Sequence, residues 1–206
     1  MPASSGSETL AGQQIMGHAA VDNGSAHAGE HLFLCDEDGR SLLVLLVQAT
    51  FDLVAGKGLV LAETQIPPSL TGELHGADAR VSSYRIEPAL AFTKPGTDVV
   101  LLGHAQAPGG RSVTELPLLF RVGPVGKALR VVGDRQWVKS GAMVVATPPR
   151  PFERIPLLYE RAFGGWDRSD ADPARHGFEA RNPVGTGYRA PNGLFEEGVA
   201  LPNLED

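Results

Sequence analysis

Three acidic residues lie near aromatic residues and have the side-chain type needed for acid–base chemistry. Asp134, Glu160 and Asp167 each fall within a few positions of a Trp or a Tyr, and glycoside hydrolases place two carboxylates beside aromatic rings that stack on sugars. An arginine directly follows each of these acids. Such clusters more often build structural ion-pair networks, so we predict no catalytic residue and retain a glycan hydrolase as an alternative hypothesis.

The segment HAGEH contains the residue types of a zinc protease. His27, Glu30 and His31 match the H-x-x-E-H pattern, in which two histidines on one helix hold the metal and the glutamate acts as general base. The flanking sequence indicates no helix, because polar DNGSA precedes the histidines and strand-like LFLC follows them. We interpret the match as chance within a flexible arm and predict neither a bound metal nor a cofactor.

Two glycine-containing segments share part of the pattern of phosphate-binding loops. AGKG at 55–58 and GPVGK at 123–127 both lack the full G-x-x-x-x-G-K-[ST] motif, since Arg121 and Ala128 occupy required positions of the second one. No G-x-S-x-G nucleophile elbow occurs in the sequence either. Both glycine segments are therefore predicted to be hairpin turns.

The composition argues against two classes of partner. The chain of 206 residues carries a net charge of −6 and has no Lys/Arg cluster, so nucleic-acid binding is not predicted. The longest apolar run, LLVLLV at 42–47, is too short to cross a membrane, and the N-terminus lacks a secretory signal. We predict a cytoplasmic protein, whose one cysteine, Cys35, fits a reducing compartment and is expected to be buried.

The pattern of apolar segments and turns predicts a mainly β fold. The 25 glycines and 16 prolines are spread through the chain, which favours short strands over long helices. Apolar segments flank EDGR, AGKG and GPVG, so each pair is predicted to form a hairpin; TDVVLLGHAQA is predicted to form another strand, and LLVLLV a central one. IPLLYERAF is the best helical candidate, and it is short. The predicted architecture is a β-sandwich or barrel-like core of hairpins.

The chain is predicted to consist of an arm and one β-rich domain. Residues 1–29 are small and polar, as in a flexible N-terminal arm. The domain covers 31–206, with the hairpin core at 31–146 and a long irregular Gly/Pro-rich region at 147–206. A compact domain rarely keeps so much irregular chain without a use for it, so this region is either an ordered loop system or is ordered by a partner.

The stretch YERAFGGWD at 159–167 holds three aromatics in a chain that is 6% aromatic. We expect Leu158, Tyr159, Ala162 and Phe163 to pack on the core, and the double glycine to end this short element, as helix C-caps and sharp turns require. Glu160 and Arg161 are expected to join an ion-pair network. Direct contact of Arg161 and Trp166 with a partner is the alternative.

Six strings, taken in order, resemble a known bacterial family. LVQATFDL, TKPGTDVVLLGHA, VVGDRQW, YERAFGG, NPVGTGY and LPNLED lie within residues 31–206, and chance would rarely combine them. The chain resembles a family of formerly unknown function that is encoded in type VI secretion loci, beside PAAR-like spike-tip proteins and toxic effectors. The resemblance implies a non-catalytic adaptor or chaperone that binds an effector or PAAR-like protein and helps load it onto the secretion spike.

Two positions depart from the pattern of that family. Gln48 stands where a lysine is expected, and Thr186 stands where a basic residue often follows NPVG. Members of the family are also expected to continue past LPNLED. If the missing basic residues face a partner, the partner of this chain differs in charge.

The predicted site residues form two sets. One set supplies aromatic anchors and arginines, which dominate interface hot spots, and comprises Arg161, Phe163, Trp166, Phe178, Arg181 and Tyr188. The other set is expected to shape the loops through ion pairs and turns, and comprises Asp134, Arg135, Glu160, Gly164, Gly165, Asn182, Pro183 and Gly185. An open strand edge of the core is the alternative binding surface. The alternative functions are a hydrolase acting on cell-wall glycan and a structural component of the secretion machine.

Overall fold

The computed structural model describes residues 21–90, 95–191 and 196–206, and most of its regular structure is β-strand. The strands are β1 (Ala28–Cys35), β2 (Ser41–Gln48), β3 (Phe51–Val54), β4 (Gly58–Leu61), β5 (Glu73–Leu74), β6 (Tyr84–Ile86), β7 (His104–Gln106), β8 (Glu115–Val122), β9 (Val125–Val132), β10 (Trp137–Ser140), β11 (Met143–Ala146), β12 (Arg154–Pro156), β13 (Phe163–Gly164), β14 (Trp166–Asp167), β15 (Gly177–Phe178), β16 (Thr186–Gly187) and β17 (Leu204–Glu205). Helical structure in the described ranges is confined to single 3-10 turns at Pro108–Gly110, Tyr159–Arg161 and Pro173–Arg175. The prediction of a mainly β chain is confirmed.

The chain divides into two compact units, which the predicted domain 31–206 spans. The first unit contains the described residues of 1–73 and 86–96, and the second contains those of 74–85 and 97–206. None of the helical turns in the described part of the chain has the length and hydrophobicity of a membrane-spanning helix. Most of the predicted arm, residues 1–20, lies outside the described residues, whereas its last two residues already belong to β1.

Two predicted hairpins build the first unit. β1 pairs with β2 around EDGR, and β3 pairs with β4 around the AGKG segment, both antiparallel. The Asp36 carboxylate accepts a hydrogen bond of 2.8 Å from the backbone N–H of Arg40, and Gly39 has a φ of 78°. These are the local features that an Asp-Gly turn requires, and both hairpin predictions are confirmed.

The environment of β2 differs from the prediction of a central strand. In the described chain β2 has one neighbour, β1. Its side chains alternate between exposed and half-buried, and Leu45 is 61% exposed. The expectation that Cys35 is buried is also wrong, since this residue is exposed at the end of β1. Both differences have the same cause. A two-stranded sheet covers little of its own surface, so an apolar residue in such a sheet is not necessarily buried.

The second unit contains the GPVG hairpin and the largest sheet among the described residues. β8 and β9 pair over their full length, and Gly123 has a φ of 56° in the turn between them, which confirms the hairpin. β17 adds to the other edge of β9, with Leu204 opposite Val131. β10 and β11 form a further hairpin. The described sheets hold two or three strands each and none closes into a barrel.

The core of the second unit draws on both halves of the predicted domain. Ala105, Val131 and Ile155 are buried together, and the half-buried apolar residues packed against them are Leu116, Leu118, Phe152, Leu157 and Leu204. β12 pairs with β7, and β17 pairs with β9. The chain after residue 147 therefore contributes strands and core side chains to the packing of residues 104–132.

Two predicted elements are shorter than the sequence suggested. Within TDVVLLGHAQA the strand covers His104–Gln106, because the preceding residues join no ladder and Val100 is largely exposed. Within IPLLYERAF the helical part is the single 3-10 turn Tyr159–Arg161. Tyr159 is 66% exposed and Phe163 is 53% exposed, so the expectation that these two rings pack on the core is wrong. One 3-10 turn is too short to direct a continuous apolar face towards a core.

Candidate functional site

A double glycine lies where two stretches of backbone come close together. Gly164 and Gly165 are both buried, and the Gly165 N–H donates a hydrogen bond of 2.9 Å to the Asn182 carbonyl oxygen. Gly165 has a φ of 90°, and a Cβ there would clash with the carbonyl group of Gly185. The preceding 3-10 turn already ends at Arg161. Of the two predicted roles, the glycines therefore do not serve as a helix C-cap, and they allow the NPVG segment to approach.

Asn182 fixes that segment in place. Its side-chain Nδ2 donates hydrogen bonds of 2.8 Å to the Tyr159 carbonyl oxygen and 3.1 Å to the Phe163 carbonyl oxygen. Gly185 lies against the same backbone, because a Cβ on it would approach the Ala162 carbonyl oxygen to 2.8 Å. Asn182 and Gly185 therefore act together with the double glycine, whereas Pro183 is exposed in the turn.

Arg161 belongs to an ion-pair network as predicted, but its partners are distant in sequence, and Glu160 forms no ion pair among the described residues. Arg161 lies 3.5 Å from Asp134 and donates a hydrogen bond of 2.8 Å to the Asn203 Oδ1 atom. Arg135 pairs with Glu205 and donates a hydrogen bond of 2.9 Å to the carbonyl oxygen of Pro202. The arginine that follows each acid in the sequence is thus not its ion-pair partner.

Glu160 is held by residues of an earlier segment. The backbone N–H of Ser83 donates to one carboxylate oxygen at 2.7 Å, and the Ser83 hydroxyl donates to the other at 2.8 Å. Partial burial acts to raise the pKa of Glu160, but these hydrogen bonds outweigh it, so its pKa lies below the usual value. Glu160 is therefore an ionised anchor for the segment that contains Ser83.

Asp167 is the buried acid of this region. Its carboxylate accepts hydrogen bonds from the backbone N–H groups of Ser169 at 3.0 Å and Ala190 at 2.9 Å, and lies 3.6 Å from the guanidinium of Arg189. Burial acts to raise the pKa of Asp167, but the hydrogen bonds and the positive charge outweigh it and lower the pKa.

We expect acid to destabilise the protein partly through Asp167. Because its pKa is lower in the folded chain, its contribution is fully present above the pKa of the unfolded state and is lost as the pH falls through the folded value. The free energy of unfolding should therefore fall below about pH 5. Asp167→Asn should be less stable at pH 7 and should show a weaker pH dependence in urea titrations between about pH 5 and pH 3. Equal slopes for the two proteins would contradict this assignment.

Two aromatic side chains form an exposed stack on neighbouring strands. Trp166 in β14 lies opposite Phe178 in β15, with ring centroids 4.5 Å apart and planes at 20°. Each residue is 45% exposed, and the Arg168 guanidinium lies 4.7 Å from the centroid of the Trp166 ring. We call Trp166, Phe178 and Arg168 the aromatic surface. Cross-strand pairing holds the rings in place while leaving much of their area open to a partner.

The other residues predicted to bind a partner are divided between different surroundings. Phe163 is largely exposed and lies 6.5 Å from the half-buried ring of Tyr188. Arg181 is exposed. Arg161 belongs to the network with Asp134 and Asn203, so its guanidinium is already engaged.

A polar cleft of about 590 Å³ opens beside the ion-pair network. Its lining combines three arginines, two acids and several neutral residues. They are Asp134, Arg135, Gln136, Thr147, Pro148, Arg150, Glu160, Arg161, Thr186, Ala200, Leu201 and Asn203. The cleft brings together residues that the sequence separates widely, and charged groups of both signs face it.

The HAGEH string does not have the geometry of a zinc site. Glu30 and His31 are consecutive residues of strand β1, so their side chains point to opposite faces. Within the described ranges, no group of three or more His, Cys, Asp or Glu residues is placed to hold a metal.

Three residues of this region were not predicted from the sequence. Ser83 and Arg189 bind the acids Glu160 and Asp167, and buried Asn203 links Arg161 to Asp134. For Asn203 the Pro-Asn turn in LPNLED was the available signal. No local pattern pointed to Ser83 or Arg189, because their partners are distant in sequence.

Comparison with known proteins gives one family match. The model of a family described as uncharacterized proteins conserved in bacteria matches residues 38–206. No curated protein and no solved structure gives a significant match to the chain. The family match includes β2, β3 and β4 of the first unit, the hairpins of the second unit, the double-glycine corner and the residues that line the cleft, whereas β1 lies before it. The chain therefore belongs to the DUF2169 family.

Proposed function

We propose that this protein is a non-catalytic adaptor of type VI secretion, which binds an effector or a PAAR-like protein in the cytoplasm and helps load it onto the secretion spike. The observation that carries the proposal is the aromatic surface, in which Trp166 and Phe178 are stacked and 45% exposed on paired strands. The assignment to type VI secretion rests on the six sequence motifs, which resemble those of the family encoded in type VI secretion loci.

The surroundings of the aromatic surface support a role in protein binding. Trp and Arg are the residue types enriched in hot spots of protein interfaces, and Trp166 carries Arg168 over its ring. Asp167, next to Trp166, is anchored by Ser169, Ala190 and Arg189. Because the backbone beneath the rings is fixed, little conformational entropy is lost when a partner covers them.

Co-expression with neighbouring genes tests the proposal directly. The protein should co-purify with an effector or a PAAR-like protein encoded beside it, and should raise the soluble yield of that partner. Failure to bind every such neighbour would refute the adaptor function.

Trp166→Ala should weaken binding to that partner at least about tenfold, because hot-spot aromatics contribute about 2 kcal/mol or more. The half-exposed ring should be removable without unfolding, as circular dichroism and a thermal melt would verify. Phe51→Ala is the matched control, since Phe51 is 48% exposed in the first unit, and it should leave binding unchanged. If Trp166→Ala unfolds the protein, or if both variants bind normally, the aromatic surface is not the binding site.

A glycan hydrolase is the second candidate, because Asp134 and Glu160 line the same cleft. The lowered pKa of Glu160 suits a nucleophile or a base, but not a general acid, which needs a raised value. Incubation with peptidoglycan tests this candidate. A hydrolase would release soluble fragments and would lose this activity in Glu160→Gln and Asp134→Asn, whereas an adaptor would release none.

A further inference from the structure

We propose that the outer edge of β2 pairs antiparallel with β2 of a second copy of this chain, about a two-fold axis at Val44. Strand β2 belongs to the first unit, whereas the aromatic surface belongs to the second. The inference therefore does not depend on the adaptor function.

The outer edge of β2 is open along the strand. In the described chain β1 is its one neighbour. The Asp36 N–H donates a hydrogen bond to the Arg40 carbonyl oxygen at the turn, and this bond, together with the register of β1 and β2, sets the alternation of the ladder. The residues of β2 that direct their backbone N–H and C=O groups away from β1 are therefore Ser41, Leu43, Leu45 and Val47.

This edge lacks the features that keep edge strands from pairing with another chain. Natural proteins block such edges with charged side chains, proline or bulges. The eight residues of β2 read SLLVLLVQ, without a charge or a proline, and their register with β1 is unbroken. Leu43, Leu45 and Val47 are 54%, 61% and 72% exposed. A long, apolar and unblocked edge is where a further strand adds to a sheet.

The sequence of β2 matches a second copy of itself. Residues 42–46 read LLVLL, which is the same in both directions. Antiparallel pairing centred on Val44 therefore places every leucine of this segment opposite a leucine, and Val44 opposite Val44 of the second copy. Apolar side chains that lie directly opposite each other stabilise paired strands. The strand is thus complementary to itself, and a second copy is the partner that it fits.

The backbone hydrogen-bonding groups agree with the same axis. With Val44 opposite its own copy, Leu43 faces Leu45, and both residues direct their N–H and C=O groups outwards. A shift of one residue would set outward groups against inward ones and exchange the two faces of the strand. A shift of two residues restores the alternation, but Val44 then faces a leucine. Because the axis uses the same edge of both copies, the assembly closes as a dimer.

Engineered cysteines test the axis, in a Cys35→Ser background that removes the native thiol. Residues at a non-hydrogen-bonded pair have Cα atoms about 4.5 Å apart, which is within disulfide range. Val44→Cys should therefore give a covalent dimer on mild oxidation, seen by non-reducing electrophoresis. Leu46→Cys is the matched control on the same face of β2. It lies opposite Leu42, so its own copy is at least about 13 Å away and it should not cross-link.

Sedimentation velocity of the full chain measures the association itself. The unchanged protein should form dimers as its concentration rises. Leu45→Pro removes an outward N–H and leaves the ladder to β1 intact, so it should be monomeric with an unchanged circular dichroism spectrum. Leu53→Pro is the control, because it makes the same change on the outward side of β3, and it should still dimerise.

Three results would overturn the proposal. They are an unchanged protein that stays monomeric at every concentration, Val44→Cys that cross-links no better than Leu46→Cys, and Leu53→Pro that dissociates the dimer as fully as Leu45→Pro does. If Leu45→Pro does not fold, the two cysteine variants still decide the question, because they leave the backbone of β2 unchanged.

Discussion

Gly165→Ala is expected to destabilise the protein by at least about 3 kcal/mol, because the added methyl group meets backbone strain and a steric clash together. The residue has a φ of 90°, where an alanine is strained, and its Cβ would clash with the Gly185 carbonyl oxygen and lie 3.0 Å from the carbonyl carbon. The Gly165 N–H also donates a hydrogen bond to the carbonyl oxygen of Asn182, which belongs to the same segment as Gly185. The free energy of unfolding, measured by urea titration, should fall by at least this amount.

Two other glycines separate strain from steric clash. Gly141 has a φ of 62° and open space around it, so Gly141→Ala should cost about 1–2 kcal/mol through strain alone. Gly103 has neither a positive φ nor a close neighbour beyond Leu101 at 3.9 Å, so Gly103→Ala should change stability by less than about 1 kcal/mol. If Gly165→Ala lowers the free energy of unfolding no more than Gly141→Ala does, the NPVG segment does not pack against Gly165 as described.

Asn203→Ala is expected to cost about 2–3 kcal/mol, because it leaves the carbonyl oxygen of buried Val132 without its side-chain donor and removes hydrogen bonds to the charged groups of Asp134 and Arg161. Its Nδ2 donates to the Val132 carbonyl oxygen at 2.9 Å and to Asp134 at 3.0 Å, and its Oδ1 accepts from Arg161 at 2.8 Å. Asn203 is buried, so water cannot replace these bonds without rearrangement. Thermal and urea unfolding measure the loss.

A second variant at this position and one exposed residue make the test specific. Asn203→Asp keeps an acceptor for Arg161 but removes the donor to Val132 and places a carboxylate beside Asp134, so it should be at least as unstable as Asn203→Ala at pH 7. Asn23→Ala should change stability by less than about 1 kcal/mol, since Asn23 is exposed and bonds to neighbouring residues. A normal stability for Asn203→Asp would show that the donor is not needed.

The chemistry of the turns could be predicted because it depends on adjacent residues. Asp36 with Gly39, and Gly123 in GPVG, define hairpins through hydrogen bonds and φ values that need no distant partner. The same applies to the mainly β character, since the spacing of Gly and Pro limits the length of regular elements.

The double glycine was recognised as a backbone feature, but its purpose was not. From the sequence, Gly164 and Gly165 were expected to end a short element as a helix C-cap or a sharp turn, whereas in the structure they lie in β13 and after it, against Asn182 and Gly185. A glycine pair in a sequence indicates that a Cβ does not fit at that position. It does not indicate which distant segment occupies the space.

The sequence by itself determined the three hairpins, the participation of Arg161 in an ion-pair network and the residues of the double-glycine corner. The tertiary structure alone decided which arginine pairs with which acid, that Trp166 stacks on Phe178, and which residues line the polar cleft. The physical reason is the separation along the chain of the residues that interact. Turns form between neighbours in the chain, whereas ion pairs, exposure and clefts depend on distances between residues that only folding brings together.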